Sequence, residues 1–482
     1  MVSYTAINRH QHRPWLSVGD SGMVRPLSLV LLLASAAADQ REELSSSSSE
    51  FSSILRDAGL PIVEGALPSL LGGVREPPSK FQKSREAAFS SSKAPFFDWY
   101  YGYIRDVKTK RAWAFTYSMS RCGDAPSAAP CKYAGSWPGF VDFRPGAPAR
   151  QYVERFPLEA WTASTEHQEA RIVGGHSNLS IAASSSDGSN IHLTGRMASP
   201  AQAWRSDGGL GDQPIAWDLR VTRRAGWFGE SWIESPLHLG RLTGAIMWSP
   251  YGHQSTVEGT ISIGAETITL GGDEGRYRAY LDSNWGETMP RPPSGADPFL
   301  YPWGWYYAAR PHADPAQDIS LICGAGRTDM KLAGVVNGKL CDLRVGETMR
   351  LSLWAWTFER LGNRTASWSS DGGMQGVEAF NISRGEWAEW RDQYGNATVP
   401  MRQQLHIVTK EHEVSIGFSA SANATSRLLF PLQDVLFSDF EALGATATVK
   451  ITERASGHVL AQFTDEMGGL EYGYRVPTHE PH

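Results

Sequence analysis

From Ala112 to Met119 the chain reads Ala-Trp-Ala-Phe-Thr-Tyr-Ser-Met, large and small side chains in strict alternation. Successive side chains of a strand point to opposite faces, so this period of two puts Trp113, Phe115, Tyr117 and Met119 on one face. A helix would scatter the same residues around its axis. The preceding piece, Phe96 to Ile104, is equally aromatic, and the polar stretch Asp106-Val107-Lys108-Thr109-Lys110 between them reads as a turn. The two pieces form a hairpin. The period recurs along the chain. Val257, Ile261 and Ile263 share a face, a Gly264-Ala265 turn follows, and Ile268 and Leu270 begin a return strand. From Met349 to Phe358, Leu351 and Leu353 oppose Trp354, Trp356 and Phe358, the pattern of a strand buried on both sides. Residues 405–422 and 445–466 read as further hairpins. Eighteen tryptophans reinforce an all-β fold, because aromatics suit a pleated, half-buried surface.

Only two segments look helical, 431–444 (PLQDVLFSDFEALG) and 385–395 (GEWAEWRDQYG). Many short strands with few short helices predict a sandwich or barrel. The 482 residues contain 41% hydrophobic side chains, enough for a sizeable core. The Pro/Gly-rich stretch 290–302 divides the body into two β halves, 94–295 and 296–476. Residues 39–93 are low in complexity, rich in serine, and read as a linker or tail. A net charge of −6 excludes a general nucleic-acid binder.

Residues 1–38 read as a leader. Met23-Val24-Arg25-Pro26, the apolar run Leu27–Leu33 and the small residues Ala34-Ser35-Ala36 follow the order of a secretory signal, with Met1 or Met23 as the start. The run is too short to span a bilayer. Five sequons, at Asn178, Asn363, Asn381, Asn396 and Asn423, agree with passage through the secretory pathway. A bipartite plastid leader is the alternative. Four cysteines allow three disulfide connectivities, of which local pairing of Cys122 with Cys131 and of Cys323 with Cys341 is the simplest; buried free thiols are the other reading.

The segment Tyr280-Leu281-Asp282-Ser283-Asn284-Trp285-Gly286, preceded by VEGTISIGAETITLGGDEGR and followed by PWGWYYAAR, resembles the tocopherol cyclase family. The opening hairpin, PFFDWYYGYI followed by RAWAFTYSMS, and the stretch WDLRVTRRAGWFGESWIESPLHLGRLTGAIMWSPYG resemble that family's order of elements. The Asp-x-Asn-Trp-Gly segment also resembles carotenoid hydratases of the hydroxyneurosporene synthase type, the AttH-like group and fungal lipocalin-like Diels–Alderases. The resemblance covers residues 96–474 and is strongest before Arg310. It implies two lipocalin-like β-barrel halves packed together around an apolar cavity. It further implies chemistry on a hydrophobic isoprenoid or polyketide-derived small molecule without a redox cofactor. Two features depart from tocopherol cyclase, which is plastidial: the secretory signals, and the insertion ETMPRPPSGADP after Trp285-Gly286.

Ring closure on such a substrate needs a proton donor or a polarising hydrogen bond, and a dry wall that folds the chain. Asp282 is the first acid by this logic. Tyr280, Asp282 and Asn284 share a strand face, and Trp285 lies beside them; the alternative is that Asp282 and Asn284 cap a turn while Trp285 plugs the barrel end. Glu234 is the second acid. His238 follows four residues later and pairs with it if Pro236 bends the strand, whereas a solvated edge strand exposes both. Asp98 ranks behind them. His253, in Ser-Pro-Tyr-Gly-His, reads as a turn histidine, either a substrate contact or an exposed one. Trp303, Trp305 and Tyr307 alternate on one face with Tyr306 on the other, and with Trp99, Tyr100 and Tyr101 they line a cavity or pack a core. Asp342 and Glu347 fall in polar turns, and no glycosidase motif stands behind the pair. No Cys/His spacing forms a zinc site, no Gly-x-Ser-x-Gly elbow is present, and the glycine clusters lack a strand–helix setting for phosphate. The functions that fit are a cofactor-independent cyclase, acid-assisted or pericyclic, a carotenoid-type hydratase, and a non-catalytic lipid or pigment carrier.

Overall fold

The computed structural model describes residues 96–476, with the stretches 122–133, 164–168, 184–189, 198–212, 225–246, 287–302, 359–363 and 370–376 and a few shorter breaks left outside the described residues. The leader, the serine-rich segment, and the residues Cys122, Cys131, Glu234, His238 and Asn363 therefore lie outside the described residues.

The described residues form two antiparallel sheets. The first holds β1 (Phe96–Asp106), β2 (Arg111–Arg121), β3 (Gly135–Ser136), β4 (Gly139–Phe143), β5 (Arg150–Val153), β6 (Trp161–Ala163), β7 (Glu169–Gly174), β8 (Ser177–Ala183), β9 (Asn190–Met197), β10 (Ile215–Thr222), β11 (Met247–Ile263), β12 (Glu266–Leu270) and β13 (Tyr277–Gly286). The second holds β14 (Gly304–Arg310), β15 (Ile319–Met330), β16 (Gly334–Val345), β17 (Thr348–Phe358), β18 (Arg364–Ser369), β19 (Ala379–Asp392), β20 (Gly395–Val408), β21 (His412–Ser419), β22 (Thr425–Leu432), β23 (Val435–Glu453) and β24 (Val459–Val476). Strand order is β5-β4-β2-β1-β13-β11-β10-β9-β8-β7-β6 in the first and β18-β17-β16-β15-β14-β24-β23-β21-β20-β19 in the second. In both, the first strand in sequence pairs with the last, β1 with β13 and β14 with β24, so each half is a curled antiparallel half-barrel.

Alternation sorts the side chains of the described residues into separate cores, a small one around Val399, Met401, Phe440 and Tyr472 among them. Tyr100, Ile104, Trp113, Phe115 and Tyr117 face the inside of the first sheet with Trp217, Leu219 and Leu281. Tyr306, Ala308, Leu321, Leu353, Ile407 and Phe418 fill the second. The opposite faces of the central strands meet in a seam built from Phe97, Trp99, Tyr101, Tyr103, Tyr280, Trp305, Tyr307, Leu443 and Met467. Both faces of β1, β13 and β14 are thus buried, which is why their sequences are aromatic almost throughout. Polar links lock the seam. The Tyr103 hydroxyl donates to the carbonyls of Leu443 and Met467 at 2.8 and 2.7 Å, and Arg105 Nη1 donates to Asp465 Oδ2 at 2.7 Å. Arg278 Nε donates to Asp318 Oδ2 at 3.1 Å.

The hairpins expected at 96–121, 257–270, 405–422 and 445–466 are present, the third ending at Ser419. The two expected helices are not: 385–392 belongs to β19, and 435–444 belongs to β23. Trp387 and Trp390 have helical spacing, but pairing with β20 puts Ala388 and Trp390 on one face, where Trp390 packs on Phe440 at 5.4 Å, and leaves Trp387 50% exposed. In β23, pairing with β24 sends Phe440 and Ala442 to one face and Asp439, Glu441 and Leu443 to the other. Tertiary pairing overrides an apolar spacing that fits both periods. Among the described residues the helical turns are three short 3-10 segments, 158–160, 315–317 and 422–424, and no helix is long and apolar enough to cross a membrane.

Cys323 and Cys341 face each other across β15 and β16 and are disulfide-bonded. Asn178, Asn381, Asn396 and Asn423 are exposed. Asp342 is not in a turn: it is buried in β16, accepts from Ser352 Oγ at 2.6 Å, and burial pushes its carboxyl up to about 6.

Candidate active site at the seam

Asp282 stands in the middle of β13, opposite Tyr101 on β1 and Pro250 on β11, so strands flank it on both sides and it caps no turn. It is 5% exposed. Its Oδ2 accepts from the Tyr280 hydroxyl at 2.7 Å and its Oδ1 from Asn284 Nδ2 at 3.4 Å. The three side chains lie on one face because they sit at i, i+2 and i+4 of a strand.

An aromatic wall surrounds this acid. Tyr280 packs against Trp305 and Tyr307 with ring centres 5.0 and 5.2 Å apart, Trp305 and Tyr307 stack at 5.8 Å, and Tyr101 meets Trp305 edge-on at 5.9 Å. Two glycines of β24 make room for the indoles. A Cβ on Gly469 would lie 2.2 Å from Trp305, and one on Gly473 would lie 1.8 Å from Trp303. The alternation in Gly469-Leu470-Glu471-Tyr472-Gly473 thus gives the seam two flat rests with an acid between them.

That acid, Glu471, completes a group with Asp282, Asp439 and Glu441. Glu471 accepts from Trp303 Nε1 and faces Asp439 closely enough to share a proton. Asp439 and Glu441 are 4% and 2% exposed, and Asp439 Oδ1 and Glu441 Oε2 have no hydrogen-bond partner. At so low an exposure a charge placed here is poorly solvated, and each further charge repels the first. Burial, and then the Glu471 charge, push Asp439 and Glu441 well above the carboxylate range. Burial and the Asp282 charge push Glu471 up to about 8. Asp439, Glu441 and Glu471 titrate together, and burial favours their protonated forms at neutral pH. Burial likewise raises the Tyr101 and Tyr280 hydroxyls well above the phenol range, so both remain donors.

A break in β11 shapes the other side of Tyr280. The register of β11 against β13 slips between Pro250 and Gly252 and again between Gly252 and Ser255, and Gln254 has φ 47°. Bulges of this kind turn side chains out of the alternating pattern. His253 is consequently buried in a strand, not exposed in a turn, with its ring 6.2 Å from that of Tyr280. Neither ring nitrogen has a hydrogen-bond partner. Burial, aided by the Arg344 charge, holds the imidazole well below its usual range and keeps it neutral. Gln254 Nε2 donates to the Tyr307 hydroxyl at 2.8 Å, while its Oε1 has no partner. Each such orphaned buried group costs about 1–3 kcal/mol.

The structure brings together Asp282, Tyr280, Asn284, Tyr101, Trp303, Trp305 and His253 from the sequence reading. Trp285 lies on β13 opposite Asp98 and Met247. Tyr100 turns inward to stack on Trp161 at 6.5 Å and is remote from the acids. Glu234 and His238 precede β11 outside the described residues. Asp439, Glu441, Glu471, Gln254 and Tyr103 were not anticipated. The alternation of acids with Phe440 and Ala442 in 438–443 carried the signal for Asp439 and Glu441.

No family model matches the chain, and no curated protein matches it in sequence. Among solved structures, CghA with Sch210972 is similar over 80% of this chain and 90% of its own, at 12% identity and a TM-score of 0.44. Kievitone hydratase from Nectria haematococca is similar over 79% of this chain and 88% of its own, at 11% identity and a TM-score of 0.43. A putative AttH protein from Nitrosomonas europaea is similar over 84% of this chain and 97% of its own, at 13% identity and a TM-score of 0.37.

Proposed function

We propose that this chain is a cofactor-independent cyclase that closes a ring on a hydrophobic isoprenoid or polyketide-derived substrate by acid assistance. The observation that carries this reading is the cluster of buried carboxyls, Asp439, Glu441 and Glu471, beside a wall of aromatic side chains, where burial and mutual repulsion favour the protonated acids. A carboxylic acid with such a raised pKa is a competent donor to an alkene. Its proton adds to one alkene carbon and leaves a cation on the other. A second alkene or a hydroxyl oxygen of the same substrate attacks that cation to form the ring bond. The proton that this nucleophile or a neighbouring carbon then sheds returns to the carboxylate. Tyr280, Trp305 and Tyr307 present π-faces that stabilise the cation, each worth roughly 0.5–2 kcal/mol. Exclusion of water favours ring closure over hydration, and the raised acids favour proton transfer over a purely pericyclic reaction or mere carriage of a lipid. The reading includes the secretory route, supported by the Cys323–Cys341 disulfide and the four exposed sequon asparagines.

The test is incubation of the purified protein with prenylquinols and linear polyenes in deuterated buffer. Acid assistance places one solvent deuterium on carbon in the product, and Glu441→Gln lowers turnover by about 10²–10⁴-fold. Undeuterated product with full turnover in both Glu441→Gln and Asp282→Asn overturns the proposal.

A further inference from the structure

The β11 bulge places two polar side chains against the aromatic wall, one beside Tyr280 and one on Tyr307. His253 and Gln254 are both 3% exposed, and three of their polar atoms, His253 Nδ1 and Nε2 and Gln254 Oε1, have no hydrogen-bond partner. Gln254 is held in place by its own amide, which donates to Tyr307 at 2.8 Å, so its oxygen is presented in a fixed direction. The chain adopts a positive φ at this non-glycine residue and two register slips to achieve it. Such strain in a packed strand is retained where the surroundings demand it.

We propose that His253 and Gln254 form a docking pair for one uncharged oxygen substituent, a hydroxyl or a carbonyl, carried by the apolar substrate. The inference rests on the cyclase reading above for where the reacting end of the substrate lies. A neutral imidazole offers one N–H donor and one acceptor nitrogen, and the glutamine oxygen offers an acceptor. A hydroxyl satisfies the histidine donor and the glutamine acceptor together, whereas a carbonyl satisfies the histidine donor alone. Held at this point, the substrate extends from beside Tyr280 towards the raised carboxyls. The pair therefore sets which carbon meets the acid, a role in positioning rather than in proton transfer.

Binding of three probes of equal chain length, farnesol, farnesal and farnesene, is followed by quenching of tryptophan fluorescence. The wild-type protein is expected to bind farnesol and farnesal about tenfold or more tightly than farnesene, the worth of one hydrogen bond in a buried setting. In His253→Phe both preferences are lost while farnesene affinity is kept. In Gln254→Leu the preference for farnesol falls and that for farnesal stays, and His253→Gln, which retains a donor and an acceptor, restores part of the preference. Equal affinity of the wild-type protein for all three probes, or no binding of the alcohol and the aldehyde, overturns the proposal without need of any variant. Preferences unchanged in folded His253→Phe and Gln254→Leu overturn it as well. The binding of farnesol by Glu441→Gln separates this inference from the cyclase reading: a preserved oxygen preference without turnover supports both, and a preserved preference with full turnover overturns the acid assignment alone.

Discussion

Asp439 and Glu441 stand two apart on one face of β23, so strand geometry alone presses their charges together, and Glu471 joins them from β24. Glu471 has an ordinary value of 4.5 and is pushed up to about 8 in the fold. Below pH 4.5 the group is protonated both folded and unfolded, and its contribution is fully present. As pH rises from there, the unfolded chain loses the proton while the folded one keeps it. The folded state then binds more protons, and stability falls with pH until the folded group ionises near 8. Thermal unfolding measured from pH 4.5 to 8 is therefore expected to show a falling Tm in the wild-type protein and a flatter profile in Glu471→Gln. Parallel profiles would refute a proton held at this position. Asp282, on the neighbouring sheet, accepts from Tyr280 and Asn284.

At the scale of elements, the wall depends on β24 being bare where β14 crosses it. Trp303 and Trp305 lie flat on Gly473 and Gly469. Gly473→Ala drives a methyl group into the Trp303 indole and is expected to cost about 1–3 kcal/mol in denaturant unfolding, with a shift in tryptophan emission. An unchanged midpoint and spectrum would show that the indole has room elsewhere. Much of this architecture was legible in the chain. The alternation at 112–119, the face shared by Tyr280, Asp282 and Asn284, and the split of Trp303, Trp305 and Tyr307 from Tyr306 all follow from a period of two. Residues 435–444 were not legible as a strand, because Leu436, Phe440 and Leu443 also repeat at helical spacing. With that segment read as a helix, Asp439 and Glu441 dropped out of the site. His253 was hidden for another reason: a bulge breaks the very alternation by which a strand residue is assigned to a face.

At the scale of the molecule, the two halves share a buried ion pair. Arg105 is 1% exposed, and its Nη1 donates to Asp465 at 2.7 Å across the seam. Asp465 also accepts from the backbone N–H groups of Ala309 and Met467, at 2.7 and 2.9 Å. Removing one partner leaves the other charge buried and uncompensated, so Asp465→Ala is expected to cost about 3–5 kcal/mol. The loss falls on the contact between the halves, and calorimetry is expected to resolve two transitions in the variant where the wild-type protein gives one. A single transition at an unshifted temperature would place the coupling elsewhere. The pairing of first strand with last in each sheet also has a meaning in time. On the ribosome, all strands of the first sheet are present once Gly286 has emerged, yet its outward face of Phe97, Trp99, Tyr101, Tyr103 and Tyr280 is covered only by strands that come later. At translation rates of roughly 5–20 residues per second, that face stands open to water for on the order of ten seconds before β23 and β24 arrive. The nascent chain is then at its stickiest, and holdase chaperones have a defined interval in which to act. The same schedule brings the Glu471 carboxyl to Asp439 and Glu441 only when β24 takes its place.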